Sequence, residues 1–288
     1  METLREIFDP DFLLRNSVYI TLLVGFAVPL VGVYLILRRL IFMGVALPQI
    51  SSCGIAFAFA LPGWGLIPHM HDRVEERALA LAGSLVFTLL AILLLAVFER
   101  RGRGRIEGRI GTAYALAGAW SVLLLVQNPH GEHGMLELLR GEVISVSNLD
   151  LGLTAAVFCV VVTVLFIFQK EFLLVSFDQE MAVTLRKKVF FWDIFLFTMM
   201  ALTVSISVLT VGPMVTFGFL ILPPLITYQF ARTMRQLILG ASMTGGISGL
   251  IGFIIAYKWD LPVGPTAIAF LGILLGVAFA VRRLFLRN

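Results

Sequence analysis

Charge is scarce in this chain. Only 14% of its 288 residues are Asp, Glu, Lys or Arg, against about 25% in a soluble domain. Hydrophobic residues make up 59%, and the mean hydropathy is +0.96. That excludes a water-soluble globule and points to an integral membrane protein with several spans. Cysteine is also scarce. Cys53 and Cys159 both fall in apolar segments, so the sequence offers no disulfide framework. No G-x-x-x-x-G-K-[ST] phosphate loop and no H-E-x-x-H occurs, and no Ser/His/Asp set can be gathered in the membrane. Nothing in the sequence therefore asks for an enzyme active site. The net charge of +4 says little about partners, because its distribution matters more than its size. Membrane lipid is expected as a partner, nucleic acid is not. The first apolar run opens near Ser17 without an A-x-A-like site at its end, and reads as a retained span.

What is present is a series of long uncharged windows: 16–37, 40–71, 78–98, 110–131, 151–169, 194–231, 236–257 and 261–281. Most match the ~20 residues that one membrane helix needs. Window 40–71 holds one span and then a loop from Pro62-Gly63, and 194–231 is split at Gly212-Pro213, where proline cannot continue helix hydrogen bonding. The expected fold is all-α, a polytopic membrane helix bundle of about nine membrane segments, with eight as the alternative count and one or two broken helices. Residues 1–16 place Leu4, Ile7, Phe8 and Leu13 at helical spacing, as an interfacial segment would. Residues 17–288 then form a single transmembrane domain. Placing the loop 99–109 in the cytoplasm puts sixteen of the 22 basic residues on that side. The positive-inside rule thus predicts the N-terminus outside and the C-terminus inside.

Three segments carry polar or helix-breaking residues where apolar ones would suffice. Arg38–Leu61 contains Pro48, Gln49, Ser51, Ser52, Cys53 and Gly54 in the middle of a span. Residues 210–232 contain Gly212, Pro213, Gly218, Pro223 and Pro224. Interrupted helices at membrane depth need their freed backbone groups satisfied by protein or by a water-filled path, and two of them suggest a shared path. Ala241, Gly245 and Gly249 recur at every fourth position and predict close helix packing. The loop 169–188 shows Ser176 three residues before Gln179, a capping-box spacing, with Asp178 beside it. Phe177, Met181 and Leu185 then share one stripe. This helix is either an interfacial connector or a docking ridge for a cytoplasmic partner. All four histidines fall outside: His69 and His71 with Asp72, and the pair His130 and His133. Either group can chelate a transition metal.

Together these stretches resemble the membrane permeases of ATP-binding-cassette importers for zinc, manganese and iron. The resemblance runs from about Ser17 to Arg283. Residues 31–61 are similar to the family's Leu-Arg-Arg, Met-Gly-Asp-Ala-Leu-Ser-His, Pro-Gly segment. Residues 138–151 resemble its external segment before the fifth span. Residues 173–185 resemble its Phe-Asp-Pro-Glu-x-Ala cytoplasmic segment, 210–224 its Val-Gly and Leu-Leu-x-x-Pro span, and 260–270 its Pro-x-Gly opening of the last span. The resemblance implies a bacterial inner-membrane permease working as a dimer of like subunits, with the path on the two-fold axis and alternating access. It implies separate ATPase chains, which hold ATP and Mg, docked on 169–188 through Phe177, Asp178, Gln179, Glu180, Met181, Ala182 and Leu185. It also implies an external solute-binding protein; no cofactor is expected on this chain itself.

The departures bear on the cargo. Where the family has an Asp and a His one turn apart, suited to a passing divalent cation, this chain has Val45 and Gln49; the Ser before that His is Pro48. Met43, Gln49, Ser51, Ser52 and Cys53 can still line a path, which would suit a softer ion or a metal chelate. A permease for another cargo is one alternative, and a secondary transporter a second. The latter usually shows an internal repeat and an intramembrane acid, and neither is found here. A membrane scaffold or sensor, the third, would need no polar residues at mid-depth.

Overall fold

The computed structural model describes residues 14–66, 73–100, 106–126 and 147–285, and among these every regular element is a helix. In chain order they are α1 (Arg15–Leu37), α2 (Ile41–Gly63), α3 (Arg73–Arg100), α4 (Ile106–Val126), α5 (Asn148–Ile167), α6 (Gln169–Phe177), α7 (Gln179–Thr184), α8 (Val189–Val211), α9 (Pro213–Tyr228), α10 (Met234–Trp259) and α11 (Val263–Phe285). Eight are long and apolar enough to cross a membrane, and α9 is a shorter apolar helix. The expected nine segments are therefore present. The expected interfacial helix lies, for residues 1–13, outside the described residues, as do His69, His71, Asp72, His130 and His133. Helix α1 already begins at Arg15.

Helices α1, α2 and α8 are mostly buried and form the centre, whereas α3, α4, α5 and α11 expose most of their length. Lipid tails are as apolar as leucine, so hydrophobic burial does little to hold such helices together; close packing and hydrogen bonds must. Two proline–glycine pairings show how. Pro29 has no N–H for the Gly25 carbonyl, and Gly245 of α10 lies against that oxygen, leaving no room for a side chain. Pro224 likewise frees the Leu220 carbonyl, against which Gly32 of α1 is packed. In each pair a bare Cα takes up the carbonyl that proline released, a geometry suited to a Cα–H···O contact. Ser242 adds a hydrogen bond of 2.8 Å to the Phe26 carbonyl. The small-residue face of α10 is thus a packing face.

The break at Gly212-Pro213 falls where the sequence predicts. Gly212 sits at φ 82°, ψ 166°, a conformation other residues rarely adopt, and Pro213 opens α9 at the position proline favours. The second expected interruption does not occur: α2 runs unbroken from Ile41 to Gly63 with Pro48 inside it. Pro48 deprives only the Gly44 carbonyl of its partner, and one freed group is tolerated in a packed membrane helix. Pro223 and Pro224 are carried inside α9 in the same way.

Candidate functional site

The polar centre of α2 divides into two sets. Met43, Ser51, Ser52 and Cys53 are buried within the chain. The Ser51 hydroxyl lies 2.6 Å from that of Ser84 on α3, where Gly54 and Gly83 bring the two backbones together. Cys53 neighbours the Ser121 hydroxyl of α4. Val45 and Gln49, one turn apart, stay partly exposed. The Gln49 amide reaches across Gly118 of α4, where a methyl group would stand 3.5 Å from Nε2. Much of the stretch's polarity is thus engaged in helix–helix contacts, and only the Val45/Gln49 face stays partly open. Among the described residues no three His, Cys, Asp or Glu side chains gather as a metal site.

The segment 169–188 is two helices rather than one. Ser176 does not cap the second of them. It is buried in the last turn of α6, and the cap of α7 is Asp178, whose carboxylate accepts the Met181 N–H at 2.8 Å. Aspartate is as good a cap as serine, and the Ser176 hydroxyl has a competing partner, described below. The three residues of the predicted stripe are exposed, Phe177 at 70%, Met181 at 51% and Leu185 at 54%, but the break at Asp178 leaves Phe177 at the end of α6, and together they form an apolar ridge across two helices. Glu180 is exposed beside it, Gln179 opens the helix, and Ala182 faces inward, fully buried. Arg186 turns the chain out of α7 at φ 55°.

Beneath this ridge the protein is densely anchored. Phe172 of α6 is fully buried among Tyr34, Phe168, Trp192 and Phe195, with ring centroids 6.2, 6.3, 5.8 and 5.5 Å away. Arg38, the residue that ends α1, lies alongside. One terminal nitrogen donates to Asp193 Oδ1 at 2.7 Å, and Nε donates to Ser176 Oγ at 3.1 Å. The guanidinium carbon lies 4.9 Å from the centre of the Phe197 ring. At the opposite end of the bundle, Arg77 of α3 pairs with Asp150 of α5 at 3.3 Å and reaches the Leu209 carbonyl of α8 at 3.5 Å. Asp150 also closes a capping box with Ser147. Sequence reasoning counted Arg38 and Arg77 only as charges that fix topology. A lone carboxylate near the start of an apolar helix, as Asp193 is in α8, was the available sign that a cation had to meet it.

The ABC 3 transport family matches residues 11–282. The chain belongs to that family. This ABC 3 permease is therefore a membrane subunit of an importer. It is 24% identical over 280 residues to the manganese import system permease protein ScaB of Streptococcus gordonii, covering 97% of this chain and 95% of ScaB. Its fold matches the structure of PsaBC from Streptococcus pneumoniae in complex with Fab at a TM-score of 0.83 and 22% identity, covering 100% of this chain and 99% of that one. An inward-facing ABC transporter of metal-chelate type matches at a TM-score of 0.72 and 17% identity, over 96% of this chain and 88% of that chain. At such identities the structural matches establish the fold.

Proposed function

We propose that this permease carries a transition metal, as an ion or a chelate, along a path on the axis between two copies of the chain. ATP and Mg are held by separate ATPase chains that dock on the ridge of Phe177, Met181 and Leu185, and an external solute-binding protein delivers the cargo. The bias of the basic residues supports a cytoplasmic ridge, with the N-terminus outside and the C-terminus inside, in a bacterial cell membrane, as the relatives suggest. The observation that carries this reading is the ridge itself: three large apolar side chains, at the end of α6, on the capped helix α7 and just after it, that none of the described residues covers. A groove in a cytoplasmic protein would remove them from water. The metal is supported by the name of the S. gordonii relative. A chelated form is favoured at Val45 and Gln49, since valine has no ligand atom and an amide is a weak one. Val45 and Gln49 then face the cargo, and Met43, Ser51, Ser52 and Cys53 reach the path only as α2 turns against α3 and α4.

Two experiments test the reading. Purified with its ATPase and binding protein and placed in proteoliposomes, the permease is expected to accumulate manganese, zinc or iron, bare or chelated, only with ATP. Failure of any ATPase to co-purify with the full chain would overturn the assignment of the ridge. In the second, Val45→Asp with Gln49→His is expected to raise retention of bare Mn2+ by the purified dimer. Unchanged calorimetric binding would remove these two residues from the path.

A further inference from the structure

Arg38 touches three parts of the molecule that an ATP-driven cycle has to move together. Its side chain is 7% exposed and its partner Asp193 11%. Through Nε it holds Ser176, the residue just before Phe177 at the head of the ridge. Through its terminal nitrogen it holds Asp193, near the start of α8, the helix that ends at the Gly212 break. Through its own backbone it ends α1; Arg39 then turns at φ 59° and α2, with the Val45/Gln49 face, begins at Ile41. Arg38 thus joins the ridge segment, the start of α8 and the α1–α2 turn through one rigid group.

We propose that Arg38 is a positioning residue for coupling: with Asp193 and Ser176 it makes the ridge, α8 and the start of α2 move as one unit. The geometry requires arginine. A guanidinium presents donors in a fixed plane and can lie over Phe197 while bonding two partners at once. A lysine ammonium at this position keeps the charge and can reach Asp193, but as a single point it cannot also hold Ser176 and cover the ring. Charge and burial alone would be met by either residue, so the conservative exchange separates transmission from folding. The proposal rests on the reading that ATPase chains dock on the ridge.

The test uses the full complex in proteoliposomes, with Mn2+, Zn2+, Fe2+ and their citrate chelates as probes, and reads metal moved per ATP hydrolysed. Arg38→Lys is expected to co-purify with the ATPase as wild type does, and to lower metal per ATP by about fivefold or more, the range of a real coupling energy. Ser176→Ala is expected to lower it in the same direction by less. A wild-type ratio in both variants overturns the proposal while leaving the import reading intact. Loss of ATPase co-purification in Arg38→Lys also overturns it, since Arg38 would then shape the docking surface instead of linking it. A wild-type complex that moves none of the probes overturns the import reading, and this proposal with it.

Discussion

The two ends of the bundle each carry an arginine–aspartate pair, and they differ in kind. Arg38 and Asp193 are both buried, and Arg38 has a second hydrogen-bond partner and a ring beneath it. Arg77 is 41% exposed, its distance to Asp150 is longer, and its further contact with the Leu209 carbonyl is at the limit of a hydrogen bond. A buried pair costs a great deal to break, because the remaining charge stays stranded away from water. A half-exposed pair contributes little, because water and salt compete for both partners. The end with the exposed ridge is thus tied firmly, and the end with the Gly212 break is tied loosely. A transporter that opens alternately to two sides needs unequal ends of this sort. The structure places the stiff link beside the ridge and the weak one at the Gly212 end.

Substitutions can break or sharpen this contrast. The largest effect is expected for Asp193→Ala, which strands Arg38 and is expected to destabilise the purified permease by about 3–5 kcal/mol in reversible unfolding. Arg38→Ala is expected to cost about as much, and a loss below about 1 kcal/mol in both variants would contradict the buried pair. Ser176→Ala removes one hydrogen bond to a charged group and should cost about 1.5–3 kcal/mol in the same measurement. At the other end, Arg77→Ala should cost roughly 1 kcal/mol or less. Its effect should shrink in 1 M salt, where screening reaches only about 3 Å, while that of Asp193→Ala persists. The smallest effect on stability belongs to Phe177→Ser and Met181→Ser, within about 0.5 kcal/mol because both side chains are already exposed. These two variants should nevertheless abolish ATPase co-purification, and a marked fall in stability would show that the ridge packs within the chain.

The membrane segments were legible because charge is costly in lipid and the windows between charges have helical length. Gly212-Pro213 was legible for a local reason as well, since the two residues impose a turn on their own. The continuity of α2 was not. Whether Pro48 interrupts a helix depends on how the Gly44 carbonyl is accommodated by neighbours far along the chain. The cap of α7 is not the residue the spacing predicts. Ser176 fits the spacing, but its hydroxyl is engaged by Arg38, 138 residues away, and Asp178 takes the role. The Arg38–Asp193 pair joins residues 155 apart, and no local pattern specifies it. Of the candidate path residues, the sequence showed the unusual polarity of Gln49 and Ser51; only the fold shows that Ser51 meets Ser84 while Gln49 stays partly open.

The two proline–glycine contacts also say which parts cannot slide. Gly25 against Gly245 fixes α1 to α10, and Gly32 against the Leu220 carbonyl fixes α1 to α9, each through backbone that has no side chain able to change rotamer. A Cβ at Gly32 would fall on the Leu220 carbonyl oxygen, and one at Gly245 on the Gly25 carbonyl oxygen. Helices α1, α9 and α10 therefore behave as a single keyed block with one permitted register. Any change of shape must be taken up by the helices around that block.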